Sequence, residues 1–152
     1  MKIFKFRLDS VLLLREREEQ AAVLEYTRAL ETMARAHHSL SDARNLRDTM
    51  SAAFAERRKH GFRASDQDVF WNAMQQRHEE CRQLAECFEK TVREAETRRA
   101  AMFAAKRKRE MVVHLKSKQF LAHENAETRA WELQIDDIVS ARYAAQLGRT
   151  GS

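Results

Sequence analysis

The chain has 152 residues, of which 34% are charged, three are glycine and none is proline, with a formal net charge of +5 and a mean hydropathy of −0.68. Such a composition supplies enough apolar side chains for a seam between helices and too few for a thick core, so it excludes a compact mixed globule and points to long helices or a coiled coil. No apolar run approaches the roughly 18 residues that cross a bilayer, and Arg7 and Asp9 interrupt anything resembling a signal-peptide core, so the protein is expected in the cytoplasm.

The first element opens with FKFRLDSVLLLREREEQ, residues 4–20. Read as helix, this stretch carries Phe4, Phe6, Leu8, Val11, Leu12, Leu13 and Leu14 on nearly every face of two turns before it becomes almost wholly charged. A helix that merely covers a core shows one stripe, so these residues ask for a partner on several sides. From Leu8, alternate steps of four and three give Leu12, Arg15, Glu19, Ala22, Tyr26, Ala29, Met33, Ala36, Leu40, Ala43, Arg47, Met50 and Phe54. The stepping never slips, which is the pattern of a coiled-coil seam and predicts helix one over about 8–58.

A turn over about 59–65 follows. Gly61 can take the left-handed conformation that ends a helix, and Ser65 with Asp68 has the spacing of a capping box, so helix two is expected from about Asp66 to 147, with 148–152 a disordered tail. On helix two, Phe70, Met74, Cys81, Leu84, Phe88, Ala95, Met102, Ala105 and Val112 fit the same stepping. Arg77, Thr91, Arg98 and Arg109 interrupt it, which predicts one or more register shifts.

A short connection between two long helices forces them antiparallel. The expected fold class is therefore all-α: a single hairpin of two long helices over 1–147, with Leu8 opposite the neighbourhood of Lys116. The longer second helix then overhangs at the end that carries the termini. That overhang still holds Phe120, Leu121, Trp131, Leu133, Ile135, Ile138, Val139, Tyr143 and Leu147, and so much unpartnered apolar surface marks an interaction site.

Charge divides along helix two as well. Residues 90–118 hold ten Lys or Arg against three Glu, a net of +7, whereas residues 119–147 hold two Arg against five acids, a net of −3. The run KRKR at 106–109 admits a nucleic-acid reading, since clustered cations neutralise phosphates. It sits in mid-helix without residues for reading bases and no regular zipper follows it, so a solvated or protein-facing basic face is the reading it favours.

Nothing in the chain supports catalysis or a cofactor: there is no glycine-rich phosphate loop, and HEEC at 78–81 lacks the second His that a zinc site needs four residues after the first. Cys81 and Cys87, six apart on one helix, point to different faces and read as free thiols of a reducing compartment.

The opening FKFRLDSVLLLREREEQ, the uninterrupted heptad helix, the glycine-containing turn, the basic AAKRKRE segment and the ending WELQIDDIVSARY together resemble the flagellar export protein FliJ family. The family's C-terminal pattern, Glu, any residue, Lys, apolar, Asp, Glu, apolar, reads here Glu132, Leu133, Gln134, Ile135, Asp136, Asp137, Ile138, with conservative departures at Gln134 and Asp137. The resemblance implies a non-enzymatic stalk of the flagellar type III export apparatus, associated peripherally with the inner membrane. Its implied partners are the hexameric export ATPase FliI, the export gate protein FlhA and the escort chaperones of late substrates.

On that reading the ATPase-binding tip is Phe6, Leu8, Val11, Leu12 and Arg15 with Trp131, Ile135, Asp136 and Ile138. The gate contact, implied to lie early in helix two, is Phe70, Trp71, Met74, His78 and Cys81, although two of Val69, Phe70 and Trp71, which cannot all face one seam, could instead cap the hairpin against Phe54 and Phe62. The free chain is expected to be a monomer. The stalk of a virulence type III secretion system, a basic coiled-coil nucleic-acid binder and a homodimeric structural coiled coil are the alternatives.

Overall fold

The computed structural model of the protein describes residues 3–150. It contains two helices, α1 (Asp9–Lys59) and α2 (Ala64–Thr150), and no strand among the described residues. Helices of 51 and 87 residues are possible because no proline interrupts either and glycine is absent from both except at position 148. α2 continues through 148–150, where a tail was expected, since one glycine weakens a helix by only about 1 kcal/mol relative to alanine. The remaining positions of that expected tail, 151 and 152, lie outside the described residues. Contacts divide the chain into two compact units, residues 18–105 and residues 1–17 with 106–152.

Within the unit of residues 18–105 the two helices run antiparallel. Phe54 meets Phe70, the His37 ring lies 5.4 Å from that of Phe88, and residues 25–32 line one hollow with residues 91–98, so positions that rise along α1 fall along α2. The seam is the one the heptads predict: from Ala22 to Phe54 every expected α1 position is buried or half-buried. Leu40, Ala43, Met74, Cys81 and Ala95 are its buried members, and all are apolar.

No register shift occurs on α2 between Phe70 and Val112. Half-buried or buried positions recur at 70, 74, 77, 81, 84, 88, 91, 95, 102, 105, 109 and 112, and only Arg98 on that stepping is exposed. The polar members stay in register by satisfying themselves locally. The Arg77 guanidinium donates to Glu80 at 2.6 Å, the Thr91 hydroxyl donates to the Phe88 carbonyl at 2.6 Å, and Arg98 Nε donates to Glu94 at 2.7 Å. A long side chain can lay its stem along the seam and carry its charge outward, which removes the need to slip.

At the turn, the His60 amide donates to the Arg57 carbonyl at 3.1 Å and Gly61 sits at φ 95°, in the left-handed region that stops a helix. Three cations, Arg57, Arg58 and Lys59, occupy the last turn of α1, where they complement the helix dipole. α2 begins two residues earlier than the capping-box reading expects. The Arg63 carbonyl accepts from the Asp66 and Gln67 amides at 3.1 and 3.3 Å, so Arg63 takes the capping position and Ser65 lies inside the first turn. Aromatic rings close this end: Phe54 stacks on Phe70 with centroids 3.5 Å apart and meets Phe62 edge-on at 4.9 Å.

In the other unit, residues 3–8 are not helical. Phe4 and Phe6 therefore sit on no helix face; they belong to an arm that lies against α2. The Phe4 ring makes edge contacts with Phe120 at 5.4 Å and His123 at 5.6 Å, and Lys116 Nζ stands 5.6 Å from the centroid of Phe6 while bonding Asp9 at 2.8 Å. The contact between Asp9 and Lys116 matches the expectation that Leu8 lies opposite this part of α2. Phe6 is the one buried residue of this unit among the described residues. Beyond His123 the last half-buried position is Glu127, and residues 128–147 are all exposed.

Candidate functional site

The expected tip residues fall into two separate sets. Phe6 is buried beneath Lys116, so its side chain is committed to packing within the chain and offers nothing to a partner. Val11, Leu12 and Arg15 are half-buried on α1, and Leu8 is exposed at the turn before it. Trp131, Ile135, Asp136 and Ile138 are all exposed. Residue 131 lies fifteen positions beyond Lys116, a rise of about 22 Å along α2, so the arm and the start of α1 do not reach it. The arm thus takes Phe4 and Phe6 out of the apolar crowding of residues 4–14, while Leu8, Leu13 and Leu14 stay exposed; the longest stretch open to a partner is residues 128–147 of α2.

The residues expected at the gate also divide. Met74 and Cys81 are buried seam positions, and Phe70 is half-buried in its stack with Phe54, so none of the three presents a free side chain. Trp71, 63% exposed, and His78 remain on the surface, with Val69 exposed beside them. Of the three consecutive apolar residues, one caps the aromatic cluster and two face outward. Around His78 the α2 surface is a network of exposed pairs. Arg82 bridges Glu79 at 2.7 Å and Glu86 at 3.3 Å, and Arg77 bonds Glu80. Hydrogen bonds from Arg82, then Gln83, hold the Glu79 carboxyl below its ordinary range.

The open α2 surface has a pattern of its own. Carrying the seam stepping on from His123 gives Ala126, Ala130, Leu133, Asp137, Ser140 and Ala144, in which Leu133 is the one large apolar residue. Of the other large exposed residues, Trp131, Ile135, Ile138 and Val139 fall one or two positions later, and Tyr143 falls one position before Ala144. At about 100° per residue they occupy a face turned well away from the seam. Val139 and Tyr143, named in the overhang but not among the expected tip residues, extend this face, and their spacing of four from Ile135 and from each other is the signal that joins them to it.

The basic run does not stand as one cationic face: Arg109 is half-buried, and Lys106 lies 3.9 Å from Glu110. Among the described residues no group of His, Cys, Asp and Glu could hold a metal ion, and no helix is long and apolar enough to cross a membrane.

A protein-family model described as the flagellar FliJ protein matches residues 4–148. No curated protein and no solved structure gives a significant match.

Proposed function

Because the chain belongs to the flagellar FliJ protein family, whose members are non-catalytic components of flagellar protein export, we propose that it serves as the stalk and escort of the type III export apparatus. In this role it binds the hexameric export ATPase FliI, contacts the export gate protein FlhA, and aids delivery by the escort chaperones. It works in the cytoplasm, held at the inner-membrane apparatus through its partners.

The observation that supports the ATPase contact is the wholly exposed stretch 128–147, with Trp131 and Leu133 each 65% exposed. Apolar area of that extent favours burial in a partner at roughly 25 cal/mol per Å². Trp131, Ile135 and Ile138 are its anchors, and Asp136 is the adjoining polar contact. Trp71 and His78 are the gate contacts that remain on the surface. A single helix end inside a six-fold ring cannot meet six equivalent interfaces alike, so binding biases the ring's nucleotide states. By linkage, the affinity for the chain then differs between those states.

The test is co-purification with the export ATPase of the same cell, using the wild type and the double variant Trp131→Asp, Ile138→Asp. Circular dichroism establishes that the variant keeps its helix. Binding by the wild type and loss in a helical variant are expected; a wild type that does not bind refutes the reading.

A further inference from the structure

We propose that, away from its other partners, the exposed face of residues 121–145 closes on the same face of a second copy of this chain, with the two α2 ends antiparallel. The pairing replaces the free monomer expected from sequence.

The face is a regular stripe. Leu121, Glu124, Thr128, Trp131, Ile135, Ile138, Arg142 and Ala145 follow one another in alternate steps of three and four, the spacing of a two-helix interface, and every one of them is exposed. Because the stripe is turned away from the hairpin seam, the chain's own α1 does not cover it, and from Thr128 onward another helix approaches clear of the arm, whose ring contacts on α2 are with Phe120 and His123.

What selects a second copy is the order of charges. Trp131 and Ile135 form the centre of the stripe, Thr128 and Ile138 flank them, and Glu124 and Arg142 stand equally far out on either side with opposite charge. Neither takes part in an ion pair within the chain among the described residues. An antiparallel copy sets Trp131 against Ile135, Thr128 against Ile138, and Glu124 against Arg142, each twice through the two-fold axis. A parallel copy would oppose Glu124 to Glu124 and Arg142 to Arg142, so charge also fixes direction. Glu132, next to Trp131, meets its own copy near the axis. That like-charge contact, together with an interface only about seven helical turns long, keeps the association weak and reversible. The pairing covers Trp131, Ile135 and Ile138, so, on the reading given above, self-association and ATPase binding exclude one another and the pair is the reserve form of unengaged chain.

Sedimentation equilibrium of the full chain across micromolar to submillimolar concentrations tests this without a second protein, so its failure leaves the ATPase reading untouched. The mass of the wild type is expected to rise from 17.8 kDa toward twice that value. Arg142→Glu should weaken association roughly tenfold, and Glu124→Arg in the same chain should restore it. Circular dichroism at the lowest concentration shows that each variant folds. A wild type that keeps the monomer mass throughout overturns the proposal and leaves the face to other proteins. Association that ignores both charge changes overturns it equally, by placing the contact elsewhere.

Discussion

Lys116 Nζ donates to Asp9 Oδ1 at 2.8 Å across 107 positions of sequence, and the same ammonium lies over the ring of Phe6. One cation thereby joins the first residue of α1 to the arm that precedes it. Both side chains of the pair are substantially exposed, 41% for Lys116 and 60% for Asp9, so water screens their attraction.

Replacing Lys116 by methionine should therefore cost little, about 0.5–1 kcal/mol from the lost pair and the lost cation–ring contact. Phe6→Ala removes the one buried side chain among the described residues of its unit and should cost about 3 kcal/mol. Thermal melts followed by circular dichroism order the two variants. A Lys116→Met melt lowered more than that of Phe6→Ala would contradict the account of the arm.

Gly61 is held at φ 95°, and a Cβ built there meets nothing within 4 Å. The penalty of Gly61→Ala is then conformational and not steric, about 1–2 kcal/mol. Gly61→Asn should lose less, because asparagine tolerates the left-handed region. Denaturant midpoints compare the three chains, and a stabilised alanine variant would show that the turn rearranges freely.

The Glu79 carboxyl titrates below its ordinary value of 4.5 because Arg82, and then Gln83, hydrogen-bond its charged form. A pKa lower in the folded than in the unfolded chain means that this contribution is complete above the unfolded value and is lost as pH falls through the folded one. Carboxyl-carbon NMR titration should place Glu79 below the other glutamates, and Arg82→Gln should bring it back among them. Both side chains are exposed to water, so the melting temperature should hardly respond.

Cys87 is exposed and Cys81 is buried in the seam. A thiol reagent added to the native protein should modify Cys87 at once and Cys81 only on unfolding. Equal rates for the two would mean that the α1–α2 seam opens around Cys81.

Much of this architecture is legible in one dimension. The heptad stepping from Ala22 to Phe54 names the α1 side of the seam, and Gly61 marks the reversal. Both follow from local rules, since a residue's angular position on a helix depends only on its number and a left-handed φ favours glycine wherever it occurs. The polar residues at Arg77, Thr91 and Arg98 mislead, because pattern alone cannot tell an arginine buried to its charge from one that lays its stem on the seam and pairs outward with Glu80 or Glu94.

The sites were less legible, for a related reason. Met74 and Cys81 lie on the seam stepping and also in the stretch that the resemblance assigns to the gate, and α1 covers both; Trp71 stays outside because Phe70 takes the place against Phe54. At the start of the chain, Phe4 and Phe6 suggest an embraced helix, yet residues 3–8 leave the helix and settle on Phe120, His123 and Lys116.

By itself the sequence determined two long helices, the place of the turn, the α1 seam and membership of an export family, since each of these rests on spacing and residue type within short stretches. Only the tertiary structure decided which apolar residues remain available: burial depends on where the opposing strand ends, and α1 and its arm reach α2 at His123 and leave the stripe through Trp131 and Ile135 in water.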